Sequence, residues 1–208
     1  MQTALLLFTA ALLGLSLIGG RFPEEQYLQH IPTVLALGAA AVAVRKGRLT
    51  TGSLACIVAF LWLHILGARY IYSNVPYDDW ASSLFGVSVS ETFGWRRNHY
   101  DRLVHFGFGV LCMPPAMLLA GRSGKMTTAW ALTFGLLTVM TIGALYEIFE
   151  WLLTVFMSPE DADGYNGQQG DAWDAQKDMA LALAGALIVA VAFAARGSVR
   201  QVRSAIRR

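Results

Sequence analysis

The sequence predicts an all-α fold, a single integral membrane domain over residues 1–208 built as a polytopic bundle of six transmembrane helices with both termini cytoplasmic. Three observations carry this reading. The 208 residues are 55% hydrophobic and only 14% charged, a composition that places the chain in the membrane class. Apolar runs recur at close to the roughly 20 residues that cross a bilayer core at about 1.5 Å rise each. The connections between them alternate in charge, basic on one side and acidic on the other.

The first run, at about residues 4–20, has no Lys or Arg before it and no clean small-x-small site after it, so a membrane helix is expected and not a cleaved signal. The second, at 27–44, carries Pro32 near its start, where proline is tolerated. The third, at 53–72, ends in Arg69, Tyr70 and Tyr72 and holds His64 near the middle of the membrane. The fourth, at 103–120, contains Pro114 and Pro115, which predict a packing kink. The fifth and sixth, at 127–151 and 174–195, complete the bundle. Cys56 and Cys112 lie inside apolar runs and read as small buried hydrophobes without a disulfide. Gly107, Gly109, Gly143, Ala144, Gly185 and Ala186 suit close helix contact. No internal repeat suggests the inverted halves of a secondary transporter.

Orientation follows from the loops. Arg45, Lys46 and Arg48 follow the second run, Arg122 and Lys125 the fourth, and Arg196, Arg200, Arg203, Arg207 and Arg208 the sixth, with no Asp or Glu among them. These segments are expected on the cytoplasmic side, and every acidic residue falls on the other. The arginine tail is explained by topology and by attraction to anionic lipid, roughly 1 kcal/mol per residue near the surface, so nucleic acid is not an expected partner. Two outward loops, 73–102 and 156–177, are long enough to fold over the bundle. The first holds Tyr77, Trp80, Phe85, Phe93 and Trp95; the second is polar and glycine-rich around Asp161, Asp163, Gly164 and Gly167.

The acidic residues cluster at one depth. Were the last helix to begin near Asp171, the spacing i, i+3, i+7 would stack Asp171, Asp174 and Asp178 on one face, where like charges repel and ask for a cation. Glu147 and Glu150 are spaced i, i+3, and Asp101 and His105 i, i+4. Counting rise from the inner loops puts Glu147 roughly 30 Å and His105 about 24 Å outward, with Asp178 near the same level. Candidate catalytic residues are therefore Asp101, His105, Glu147, Glu150, Asp174 and Asp178, with His105 or a carboxylate as general base and water as the attacker. His105, Glu147, Asp174 and Asp178 could ligate a divalent cation such as Mg2+, Mn2+ or Zn2+, and the sequence leaves the cofactor otherwise open. Tyr70, Arg97, Arg102, Gln169 and Asp171 are candidates for binding substrate, with Arg97 or Arg102 holding an anionic group. A plainer reading of the same residues is a set of ion pairs with Arg69, Arg96, Arg97, Arg102 and Lys177 that fasten helix ends and loops. For His64 the plainer reading is a core histidine bonded to a neighbouring helix.

The motifs running from Arg97 through Asp101 and His105 to Phe106, from Tyr146 through Glu147 and Glu150 to Trp151, and from Gln169 through Asp171, Asp174 and Asp178 to Met179 resemble the YjdF-like inner-membrane proteins of bacteria. That resemblance covers essentially the whole chain and implies a multi-pass protein of the bacterial inner membrane; the family has no established activity. A fainter similarity is to VanZ-like membrane proteins, in whose pattern Asp101, His105, Glu147, Asp174, Asp178 and Gly185 would find places. It bears on architecture alone.

Three functions compete. The first is a metal-assisted or acid/base enzyme acting on a lipid or lipid-linked head group at the outer face. The second is transport of an ion or small solute, with His64 continuing the path inward and a homo-oligomer supplying a pore. The third is a non-catalytic envelope factor whose polar cluster only holds its loops. Membrane lipid is the expected partner in each.

Overall fold

A chain in lipid must satisfy its backbone polar groups internally, and a helix does so within one segment. The computed structural model describes residues 1–20, 22–121, 127–156 and 166–195, and among them every regular element is an α-helix. In order these are α1 (Gln2–Ser16), α2 (Pro23–Arg45), α3 (Thr51–Arg69), α4 (Tyr77–Phe85), α5 (Val89–Phe93), α6 (Tyr100–Gly121), α7 (Thr128–Phe156) and α8 (Asp174–Ala195). Five of them, α2, α3, α6, α7 and α8, are long and apolar enough to cross a membrane. Helix α1 is apolar but has 15 residues, about 22 Å against a hydrocarbon core of about 30 Å. It ends at Ser16, ahead of the expected boundary, where the chain turns through Gly19 at φ 69°.

Local sequence sets the other ends. Pro23 opens α2, with Glu24 and Glu25 in its first turn and Arg45 in its last, each charge opposing the helix dipole. Thr50 caps α3, its hydroxyl accepting from the Ser53 N–H at 3.1 Å. The expected loop at 73–102 proves largely helical. Asp78 and Asp79 sit in the first turn of α4, Ser88 caps α5, and Gly86 and Gly94, at φ 72° and 66°, end the two. Helix α6 passes through Pro114 and Pro115 as one element, α7 carries Glu147 and Glu150 well inside its length, and α8 starts at Asp174. Asp171 therefore lies before the helix, and the expected three-carboxylate face is reduced to Asp174 and Asp178. The basic residues Arg122, Lys125 and those from Arg196 onward, with Asp161, Asp163 and Gly164, lie outside the described residues.

Helix α6 is the hub, packed against α3, α7 and α8, while α7 also meets α8. Phe108, Met113 and Met117 of α6 form the main core with Val139 of α7 and Ala182 and Ala186 of α8. The closest crossing is between α6 and α8. A Cβ on Gly109 would collide with the Ala182 carbonyl and one on Gly185 with the Phe106 carbonyl, as the small-residue pattern predicts. Gly143 behaves differently: nothing lies within 4 Å of its absent Cβ, and it borders a cavity.

On the other side α3 joins α1 and α2. Arg69 donates to the Ser16 carbonyl at 2.6 Å and the Ile18 carbonyl at 2.9 Å, and Gln26 donates to the Ser16 carbonyl at 2.6 Å. These bonds satisfy carbonyls that the end of α1 leaves open. Among the described residues, α2 packs on α1 and α3 and makes no substantial contact with α7.

Candidate functional site

The site forms where the acidic ends of α6, α7 and α8 meet. Its geometry begins before α6. The Asn98 side chain accepts from the Tyr100 N–H at 3.0 Å, opening the helix, and donates to the Val75 carbonyl at 2.8 Å. The Tyr77 hydroxyl accepts from the His99 N–H at 3.0 Å, and the His99 ring stacks on Trp95 with centroids 4.2 Å apart. His99 is held below its usual pKa, first by burial and then by Arg102 and Arg97. With the start of α6 so fixed, Asp101 and His105 both point toward α7 and α8.

An outer layer pairs its charges. Arg97 grips Asp174 with both terminal nitrogens, at 2.6 and 3.1 Å, and also donates to the carbonyls of Gln168 and Gly167 at 2.9 and 3.1 Å. Burial pulls the Arg97 pKa down, but the hydrogen bonds and charge of Asp174 outweigh it and hold the guanidinium above its usual value. Arg102 reaches Asp171 at 2.6 Å and Asp174 at 3.5 Å, and Lys177 reaches Asp171 at 2.5 Å. Gln169 completes the clasp: its carbonyl oxygen accepts from the Asn98 N–H at 2.9 Å and its amide donates to the Asn98 carbonyl at 3.1 Å. Gly167, Gln169 and Gly170 all take positive φ, which bends the chain tightly enough for this clasp to close.

The Lys177 hydrogen bond, then the Trp173 N–H, hold Asp171 down to a pKa of about 2 against an ordinary 3.8. Since the folded value is the lower, this carboxylate stabilises the fold above pH ~4, and its contribution is lost as pH falls toward 2. Asp171→Asn should therefore lower the thermal midpoint in detergent by a similar amount at pH 5, 6 and 7. A deficit appearing only above pH 6 would contradict that window.

Beneath lies an inner layer with no cation of its own among the described residues. His105 Nε2 stands 3.5 Å from Asp101 Oδ1 and 3.7 Å from Glu147 Oε1. Asp101, His105 and Asp178 each offer a ligand atom, all within 4.8 Å of one another. Glu147 and Asp178 are 9% and 2% exposed, and Glu147 Oε1 and Asp178 Oδ1 have no hydrogen-bond partner among the described residues. Carboxylates buried this closely need protons or a cation to neutralise them.

The family model described as "Predicted membrane protein (DUF2238)" matches residues 1–198. The chain belongs to that family. It is 32% identical over 177 residues to the inner membrane protein YjdF of Escherichia coli (strain K12), an overlap covering 85% of this chain and 80% of that relative. No solved structure matches the chain. The family and its apolar helices together make this a multi-pass protein of the bacterial inner membrane, as its sequence led one to expect.

Within this DUF2238 chain the sequence-derived candidates divide by depth. Asp101, His105, Glu147 and Asp178 meet in the inner layer. Glu150, half-buried one turn along α7, faces the same charges. Asp171, Asp174, Arg97, Arg102 and Gln169 form the outer clasp, so Asp174 is engaged by arginine where it was expected to ligate metal, and Asp101 stands in its place beside His105. Tyr70 packs against Trp80 with centroids 6.0 Å apart, away from the cluster. Arg69 binds the end of α1 instead of a site carboxylate.

Tyr72 is the aromatic that reaches inward. Ile71 and Tyr72 take positive φ, 44° and 52°, uncommon for non-glycine residues, and so fold Tyr72 back against Gly67. Its hydroxyl bonds His64 Nδ1, while His64 Nε2 lies 3.0 Å from the Gln29 carbonyl. A carbonyl only accepts, so Nε2 carries the proton and Nδ1 accepts from tyrosine. This is the core-histidine arrangement. Sequence reasoning gave no role to Asn98 or Tyr72 and passed over the buried Gln26, Gln29 and His30 of α2. The i, i+3, i+4 spacing of those last three in an apolar run was the available signal.

Proposed function

We propose that this protein is an enzyme of the membrane boundary, acting on the polar head group of a lipid with a divalent cation held by Asp101, His105 and Asp178. The observation that carries the reading is a pair of buried oxygens with no hydrogen-bond partner among the described residues, Glu147 Oε1, 3.7 Å from His105 Nε2, and Oδ1 of Asp178, whose carboxylate groups with Asp101 and His105. Mixed imidazole and carboxylate donors suit Zn2+ or Mn2+. When bound, such an ion would lower the pKa of a water ligand and supply a nucleophile. Glu147, beside the triad, is placed to take a proton from that water. Arg97 and Arg102, whose buried Nε atoms have no partner among the described residues, would draw an anionic head group toward it.

Two further points support the arrangement. Arg45, Lys46 and Arg48 lie at the opposite end of α2 from Glu24 and Glu25, which favours cytoplasmic termini and an outward-facing acidic end. Helix α1 packs along α3, with Trp62 donating to Thr9 at 2.9 Å, and would serve as the sixth span. The transport reading loses its inward relay, because both nitrogens of His64 are bonded.

The test is elemental analysis of detergent-purified protein beside Asp178→Asn, His105→Gln and, as a control outside the cluster, Asp79→Asn. Stoichiometric Zn or Mn in the parent and control, lost at least tenfold in the two cluster variants, is the expected result. Equal metal in all four, or none in the parent after growth with both ions, would sink the cation site.

A further inference from the structure

Below the polar cluster lies a cavity of about 340 Å³, within the roughly 300–1,000 Å³ of small-molecule sites. Its upper wall includes Asp101 and His105, and from there it descends among apolar residues as far as Cys112 on α6. Eleven steps of helical rise lead from Asp101 to Cys112, about 16 Å, close to half of a hydrocarbon core of about 30 Å. The back wall is Phe60 of α3 and Phe108 of α6, and the two flanks are Pro32 and Ala36 of α2 and Ile142 and Gly143 of α7. These flanking helices make no substantial contact with each other, which leaves a gap between them beside the cavity, on the side a bilayer would cover. Ile142 marks the lip, since it lines the cavity and is also 49% exposed. Gly143 keeps the space open, because a side chain there would meet no atom within 4 Å.

We propose that this cavity takes one acyl chain of a membrane phospholipid, entering between α2 and α7 and placing its head group at the Asp101 and His105 end. The proposal deepens the head-group reading above by naming the substrate class. Three features point to this occupant. The lining is mainly apolar, its polar members being Thr33, His64, Tyr72, Tyr146 and the Asp101 and His105 end; the gap between α2 and α7 lies on the side a bilayer would cover; and the depth is that of a single leaflet. A much longer hydrocarbon, such as a polyprenyl chain, would have to leave through the side opening. His64 and Tyr72 also border the space, but their bonds to each other and to Gln29 spend their polar atoms. What they present to a ligand is ring surface.

The experiment reconstitutes the full chain in vesicles containing phosphatidylglycerol with a mid-chain diazirine, irradiates, and maps adducts by mass spectrometry. A parallel sample carries a diazirine-bearing prenyl phosphate. Adducts from the acyl probe on Phe60, Phe108 or Cys112, reduced at least fivefold in Gly143→Leu and in Ala36→Leu, are expected. Labelling of outward-facing Leu35, Trp130 and Leu145 should be unchanged by either substitution. Adducts confined to those outward residues, or inner adducts untouched by both substitutions, overturn the proposal, and so does preferential inner labelling by the prenyl probe. Should neither variant fold, the adduct map of the unmodified protein decides alone. Asp178→Asn separates the two readings. Inner adducts in a variant that retains its metal would refute the cation site and leave the tail cavity standing, whereas metal loss without inner adducts in the parent would do the reverse.

Discussion

Replacing Arg97 with Gln should destabilise the protein by roughly 3–5 kcal/mol, the cost of breaking a buried ion pair and leaving one charge behind. The pair is well buried, with side-chain exposures of 12% for Arg97 and 4% for Asp174. Among the described residues the abandoned carboxylate would keep only Arg102, at 3.5 Å. The carbonyls of Gly167 and Gln168 would lose their donor in the same step, loosening the segment that carries Gln169 over the Asn98 backbone. Arg97→Lys should recover part of the loss, because a single ammonium cannot span both carboxylate oxygens. Arg97→Gln with Asp174→Asn should recover more, since no unpaired charge is then buried. The measurement is a double-mutant cycle on thermal unfolding in detergent. A single Arg97→Gln variant within 1 kcal/mol of the parent would show that the clasp is solvated, not structural.

This pair also shows where sequence reading stops. Arg97 and Asp174 are 77 positions apart, and helical spacing relates only residues on one element. Asp101 and His105 could be matched because they share α6; that Asp178 of α8 would join them depends on how two helices cross. The count of rise along each span placed Glu147, His105 and Asp178 at one depth, and they do meet, because rise is the one dimension a membrane helix fixes. Azimuth is not so fixed. Asp171 misled for another reason. Its side chain accepts from the Trp173 N–H at 3.1 Å, so aspartate here ends a turn ahead of the helix instead of joining the helix face. Gly143 illustrates a further ambiguity: a small residue that admits a neighbouring helix and one that borders a void read identically in sequence. The short helices α4 and α5 were legible after the fact in Asp78, Ser88 and the two glycines that end them, but aromatic content drew attention to packing instead.

The crossing that assembles the inner layer makes the other large prediction. Gly109 lies one turn below His105 on α6, and Gly185 two turns below Asp178 on α8. A Cβ on Gly185 would also stand 3.0 Å from the Val110 nitrogen, and one on Gly109 2.8 Å from the Ala186 nitrogen. Backbone atoms cannot swing aside as a side chain can, so the helices themselves must separate. Gly185→Val and Gly109→Val should each destabilise by at least the ~1–3 kcal/mol typical of overpacking. If the proposed cation site exists, both should also lower metal content, because Asp178 withdraws from Asp101 and His105. Gly38→Ala on α2 is the control: with nothing within 4 Å of its Cβ, it should hold or gain up to about 1 kcal/mol from the better helix former. Thermal unfolding and metal content of the three variants decide the matter. If Gly185→Val unfolded like the parent and kept its metal, α6 and α8 could not be in backbone contact, and the convergence of Asp101, His105 and Asp178 would have to come from loops alone.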